Sequence, residues 1–262
     1  MTLPRLQLFE FNDAAWAPEV LKELIVEALS RTLRWGRILR GIVGPLQTLL
    51  EQTGATEVLD LAAGFGGPAQ VLVEELEAAG RTPPHFLLTD LQPRIHAWSA
   101  LKALHPDAID FVPEPVDATR IPAALAKGRV HVIINALHHF PPALAREVLL
   151  GATRDSTGVF IAEGLLRDPR TLLSMAVSGI PALYASALLA RDRRLQKAVL
   201  TWLTPVTMAA SVWDGSVSTF RQYTEPELRA LVRDCPPGWT WEFGVFDFPF
   251  GGHGSWFRGI RT

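Results

Sequence analysis

Three glycines, two carboxylates and a proline stand where they could cradle a nucleotide-like ligand. The stretch Val58-Leu59-Asp60-Leu61-Ala62-Ala63-Gly64-Phe65-Gly66-Gly67-Pro68-Ala69 reads as a strand, a glycine turn and the start of a helix. Glycine lets the backbone adopt a tight turn and approach a ligand closely. The fixed φ and missing N–H of Pro68 suit a first helical turn. The unpaired amides of that turn favour a carboxylate or a phosphate. Gly64, Gly66 and Ala69 fit the G-x-G-x-x-G/A pattern. The same pattern also describes a tight strand-to-helix connection with no ligand.

The elements that must position these residues follow in order. Phe86-Leu87-Leu88-Thr89-Asp90 is a second apolar run ending in an acid, and a helix-like stretch separates it from the glycine turn. The pair predicts a βαβ unit. A carboxylate at the tip of the second strand can accept both hydroxyls of a ribose. A third run, Ile109 to Val112, leads into Pro115-Val116-Asp117-Ala118. A fourth, Val130 to Asn135, continues into Ala136-Leu137-His138-His139-Phe140.

Taken together, residues 56 to 163 resemble the class I S-adenosylmethionine-dependent methyltransferases. The resemblance implies S-adenosyl-L-methionine as cofactor. It implies that Asp60, Ala62, Gly64, Phe65 and Gly66 face the cofactor, with Asp90, Leu91, Asp117, Ala118 and Asn135. The family often has glycine where this chain has Ala62. The C-terminal part agrees: Thr224-Glu225-Pro226-Glu227 is a capping box with proline in the first turn, predicting a helix to about Asp234. Two strand-like runs follow, Trp239 to Phe248 and Ser255 to Arg261, joined by Gly251-Gly252. The expected fold is α/β: a Rossmann-like doubly wound sheet, mostly parallel with an antiparallel C-terminal hairpin, plus N-terminal helices and a helical insert. A short-chain dehydrogenase is disfavoured, because neither Tyr184 nor Tyr223 is followed four residues later by lysine.

Composition narrows the function classes. The chain has 262 residues, 48% of them hydrophobic, which suffices for a large core. A net charge of -2 and the lack of a basic stripe interleaved with aromatics argue against nucleic acid as a partner. Cys235 is the single cysteine, which excludes an intramolecular disulfide and cysteine-based metal clusters. With no basic-then-apolar leader at the N-terminus, the cytoplasm is the expected compartment.

Four segments are expected: an N-terminal helical cap (1–53), the cofactor-binding core (54–165), an apolar helical insert (166–219) and the C-terminal part of the core (220–262). In the first, Val20, Leu21, Leu24, Ile25 and Leu29 share a helical face, with breaks expected at Gly36, Gly41 and Gly44. Phe9-Glu10-Phe11-Asn12-Asp13 and Trp16 place acids among aromatics, which could line a substrate pocket or staple the segment to the core. Thr171 to Ala190 carries no charge over twenty residues, and Ala198 to Trp213 carries none either. Gly179, Pro181 and Pro205 dilute that hydrophobicity. Two readings of 171–213 stand: a lid or homodimer contact, and a peripheral membrane contact with Arg191 to Lys197 against lipid headgroups.

Val212-Trp213-Asp214-Gly215 is expected to turn at the Asp-Gly pair. The Trp-Asp-Gly and Phe-Glu-Phe segments are similar to segments of bacterial methyltransferase-like sequences. On that resemblance Asp214, Arg221 and Tyr223 are substrate-binding candidates, alongside Glu10 and Trp16 of the aromatic N-terminal segment. An Asp-Arg ion pair pinning the insert to the core is the alternative.

Methyl transfer from a sulfonium donor asks mainly for alignment and exclusion of water. A hydroxyl or acidic carbon acceptor also benefits from a base. His138, His139 and Glu163 are the catalytic candidates, the histidines either as base or as cofactor wall, and Glu163 as base, substrate anchor or helix cap. The remaining histidines show no metal-ligand spacing, and no required metal is expected. The leading expectation is a methyltransferase acting on a small, lipophilic acceptor at oxygen or carbon. The rivals are a cofactor-binding protein that cyclises or eliminates without methyl transfer, a nicotinamide-dependent oxidoreductase and a membrane-associated binding module.

Overall fold

The structure is a computed structural model that describes residues 3–172, 179–190, 192–248 and 252–261. The chain divides into two compact units, one holding residues 39–164, 223–246 and 254–262, the other 1–38, 165–222 and 247–253.

The first of these units is built on a sheet. Its strands are β1 (Glu57–Leu61), β2 (His85–Thr89), β3 (Ile109–Phe111), β4 (Val130–Ile134), β5 (Gly158–Glu163), β6 (Trp239–Phe248) and β7 (Gly252–Arg261), the last two reaching into the other unit. Their order is β3-β2-β1-β4-β5-β7-β6. β1 pairs in parallel with β2 and β4, β2 with β3, and β4 with β5, while β7 runs antiparallel to β5. Strands 4 and 5 are buried at every position. That accounts for their unbroken apolar character, since a central parallel strand is covered on both faces. The helices are α2 (Arg40–Thr53), α3 (Gly67–Ala78), α4 (Ile95–Leu104), α5 (Ala123–Ala126), α6 (Pro142–Thr153) and α10 (Glu225–Leu231). Leu59, Leu61, Ile133, Val159 and Ile161 of the strands meet Leu149 of α6, Leu228 and Leu231 of α10, and Phe257 of β7 in one buried cluster.

Strand order reverses between β1 and β4, and ligands of open α/β sheets bind outside the carboxyl ends at such a point. The glycine turn follows β1, Asp90 follows β2, Asn135 to His139 follow β4, and Glu163 ends β5. The capping box at Thr224 and Glu227 forms as expected. Gly41 and Gly44 do not break a helix but lie inside α2. At Gly41 a Cβ would stand 2.6 Å from the Phe246 ring, so close packing explains that glycine.

The other unit is helical: α1 (Glu19–Trp35), α7 (Ile180–Leu189), α8 (Arg194–Ala198) continued by a π-helical turn at Val199–Leu203, and α9 (Val206–Arg221). α1 packs against all three of its partners. Leu21 and Ile25 of α1 meet Ala210 of α9 and Phe11. The expected turn at Asp214-Gly215 is instead the middle of α9, whose buried positions 207, 210, 214, 217 and 221 repeat every three or four residues. Part of the uncharged run, residues 173–178, lies outside the described residues. Among those described, no helix is long and apolar enough to cross a membrane.

Candidate functional site

Asp60 is the fourth residue of β1 and 2% exposed. Its Oδ2 is buried without a hydrogen-bond partner. Burial, and secondarily the charge of Asp90, push this carboxyl well above the usual carboxylate range. Just beyond it the chain turns through left-handed backbone at Ala62 (φ 59°), Gly64 (φ 55°) and Gly66 (φ 78°). At Gly66 the left-handed φ favours glycine, and a Cβ would also meet the end of the Leu101 side chain at 2.5 Å. Ala62 holds a left-handed conformation with a Cβ, which stores strain on the order of 1–2 kcal/mol.

The loop after β2 is wired to this turn. Asp90 Oδ2 accepts the Gly64 N–H at 2.9 Å, and Oδ1 accepts the Gln92 N–H at 2.8 Å. The Thr89 hydroxyl donates to the Asp60 carbonyl at 2.8 Å. Trp98, fully buried on α4, donates its indole N–H to the Gly64 carbonyl at 2.9 Å. The Arg94 guanidinium lies 4.9 Å from the centre of the exposed Phe65 ring. Leu91 is 63% exposed at the same strand end. Thr89, Arg94 and Trp98 escaped the sequence reading; the only trace there is the apolar spacing of Ile95, Trp98 and Leu101.

Asp117 is exposed, and hydrogen bonds from the hydroxyl and then the N–H of Thr119 hold its carboxyl below the usual range. Ala118 is half-buried beside it. Asn135 has φ 52°, a conformation its short polar side chain tolerates. Its N–H donates to the Ala162 carbonyl at 2.8 Å and its Oδ1 accepts the Gly164 N–H at 2.6 Å, which ties the end of β4 to the end of β5.

That tie places Glu163 against His138. Glu163 Oε1 accepts the His138 backbone N–H at 3.1 Å, and Oε2 lies 2.7 Å from His138 Nδ1. Both side chains are buried, 7% and 8% exposed. The His139 ring is 4.2 Å from that of His138, centre to centre, and half-buried. Tyr223 donates its hydroxyl to the Phe140 carbonyl at 2.7 Å.

The other substrate-binding candidates belong to the helical unit. Glu10, 2% exposed, accepts from Ser218 at 3.0 Å and lies 3.1 Å from Arg221. Arg221 also donates to Asp13 at 2.8 Å and to the Leu8 carbonyl at 3.0 Å. Asp214 accepts the backbone N–H groups of Phe11 and Asn12 at 2.7 and 3.0 Å. Its carboxyl is raised, chiefly by burial. Phe9, Phe11, Trp16 and Trp213 form one aromatic cluster with ring centres 5.2–5.8 Å apart.

Compared with known proteins, the chain matches no family model and no curated protein sequence. Solved structures do match. The magnesium protoporphyrin IX methyltransferase of Synechocystis PCC 6803 with bound S-adenosylhomocysteine aligns at 13% identity, over 88% of this chain and 86% of that one, with a TM-score of 0.50. A candidate O-methyltransferase of Nostoc punctiforme PCC 73102 aligns at 12% identity, over 98% of this chain and 64% of that one, with a TM-score of 0.53. The chain therefore has the Rossmann-like fold of methyltransferases, as its sheet order and strand directions show.

Proposed function

We propose that the protein is a class I methyltransferase that moves a methyl group from S-adenosyl-L-methionine to a small, lipophilic acceptor, at oxygen or carbon. The observation that carries this reading is the buried Asp60 carboxylate, whose Oδ2 has no partner, set beside a turn held in left-handed backbone. An unpartnered buried acceptor is costly unless a ligand satisfies it, and the ammonium of a methionine moiety is a fitting donor.

On this reading Asp60, Ala62, Gly64, Phe65 and Gly66 hold the amino-acid end. Asp90 and Leu91 take the ribose and adenine side, and Asp117, Ala118 and Asn135 complete the wall. Asp90 retains acceptor capacity beyond its two backbone bonds, since an ionised carboxylate offers about four lone-pair sites. When bound, the cofactor supplies an electrophilic methyl on a cationic sulfur. The chain then has to align the acceptor and take its proton.

The second task is assigned to His138. Glu163 Oε2 at Nδ1 orients the imidazole, and Nε2 is the ring nitrogen assigned on this reading to take a proton from an acceptor hydroxyl. Glu163 acts through His138, while His139 packs on its ring. Tyr223 fixes the Phe140 end of this turn. Glu10, Asp214 and Arg221 serve to fix the segment that carries Phe9, Phe11 and Trp16.

For the segment 171–213, whose runs 171–190 and 198–213 carry no charge, a lid, a contact with a second copy and a peripheral membrane contact are the readings consistent with the sequence. The free, half-buried Cys235 is in keeping with a reducing, cytoplasmic setting. The test of the main reading is product mass. Incubation with S-adenosylmethionine and an acceptor panel should add one methyl group to a hydroxylated or acidic-carbon acceptor. Cyclisation or elimination would add none.

A further inference from the structure

Gly64 is gripped on both sides by the segment that follows β2. Its N–H donates to Asp90 Oδ2 at 2.9 Å, and its carbonyl accepts the Trp98 indole N–H at 2.9 Å. The first bond fixes the peptide plane that enters Gly64, and the second fixes the plane that leaves it. A glycine at φ 55° has no Cβ to limit its rotation, so these two side chains set its backbone. One residue earlier, the Ala63 N–H donates to the Thr89 carbonyl at 3.0 Å.

Trp98 holds the leaving plane because packing holds Trp98. The side chain is fully buried on α4, and its ring centre lies 5.9 Å from that of Phe111 on β3. A buried indole N–H left without an acceptor is costly, and the Gly64 carbonyl is the acceptor it has.

Holding the carbonyl aims the rest of the peptide. The bond joining Gly64 to Phe65 is trans, so its N–H points opposite to the carbonyl that Trp98 holds. The Phe65 N–H is thereby turned away from the buried indole. Among the described residues it has no hydrogen-bond partner. A Cβ on Gly64 would meet nothing within 4 Å, so the turn borders open space. We infer that Trp98 is a positioning residue, which acts through the Gly64–Phe65 peptide to present the Phe65 N–H to an anionic group of the bound ligand. That group is the carboxylate of the methionine moiety, with Asp60 facing the ammonium, an assignment that rests on the methyltransferase reading above. Trp98 itself, fully buried, touches no ligand. Phenylalanine in its place keeps a ring in the core and removes the donor, which frees the plane to turn.

Calorimetry on the full chain tests this with two probes, S-adenosylhomocysteine and methylthioadenosine, which shares the nucleoside but lacks the amino-acid end. Trp98→Phe should bind the first about tenfold more weakly than wild type and the second within about twofold of it. A merely structural role would weaken both together. Equal weakening of both, or an unchanged affinity for S-adenosylhomocysteine, overturns the inference. If wild type binds neither probe, the methyltransferase reading fails, and a ligand-free crystal structure of Trp98→Phe then decides the role of Trp98. A rotated Gly64–Phe65 peptide upholds it, and an unchanged peptide overturns it. Should Trp98→Phe not unfold cooperatively, benzothienylalanine at position 98, which keeps the indole's shape with sulfur in place of the N–H, takes the same measurements.

Discussion

Glu163 grips His138 twice, accepting the backbone N–H with Oε1 at 3.1 Å and facing the ring Nδ1 with Oε2 at 2.7 Å. One carboxylate at the end of β5 thus sets both the turn after β4 and the orientation of the imidazole within it. The contact engages Nδ1 and so fixes which way the ring faces.

Replacing that carboxylate should release the tautomer. In Glu163→Gln the amide can donate to Nδ1 as well as accept from it, so nitrogen chemical shifts of His138 should move from an Nδ1–H form to a mixture. Turnover with a hydroxylated acceptor should fall on the order of 10²–10⁴-fold in His138→Ala. If Glu163→Gln leaves the tautomer unchanged, the orienting role is wrong.

Asp60 should carry opposite signs for stability and binding. Because its folded pKa is raised, the folded state holds this proton more tightly than the unfolded chain. Stability is therefore lost as pH rises from the ordinary carboxylate range, about 3.9, through the raised folded value. Asp60→Asn removes that loss. Its ligand-free melting temperature should match wild type near pH 4 and exceed it by a few degrees at pH 8. A wild type that gains stability relative to the variant over that rise contradicts the assignment.

Ala62→Gly relieves a left-handed alanine. The gain, about 1 kcal/mol from the relieved strain, outweighs the added freedom of the unfolded glycine or comes close to cancelling it. Denaturant titration should show a midpoint equal to or above wild type. A clear destabilisation would mean that the Ala62 methyl makes contacts worth more than its strain.

Arg221→Ala should destabilise the protein strongly, by roughly 3–5 kcal/mol, because it leaves the buried Glu10 carboxylate without its charged partner. Arg221→Lys should recover only part, since one ammonium cannot reach Glu10, Asp13 and the Leu8 carbonyl together. Full stability in Arg221→Ala, measured by thermal unfolding, would move Arg221 from anchoring the N-terminal segment to contacting substrate.

The order of strands and the glycine turn were legible because each has a local signature. Pro68 and the glycines mark the turn, and apolar runs ending in acids mark β1 and β2. What escaped depends on partners distant in the chain. Asp214-Gly215 has the composition of a turn, yet α9 runs through it, because its buried positions recur at helical spacing and the carboxylate pairs with backbone N–H groups at Phe11 and Asn12. Glu163 and His138 stood out singly, but their union follows from the register of β4 on β5, which sets Ile134 beside Ala162. Trp98 looks like any core aromatic until its indole is found on the Gly64 carbonyl.

On the proposed function, the turn beside Asp60 holds S-adenosylmethionine. Calorimetric titration of wild type and Asp60→Asn with S-adenosylmethionine and S-adenosylhomocysteine decides whether it does. One-site binding by wild type, weakened about tenfold or more in the variant, is the expected result; that ratio corresponds to about 1.4 kcal/mol. No heat with either molecule, alongside saturable binding of NAD or NADP, would contradict it.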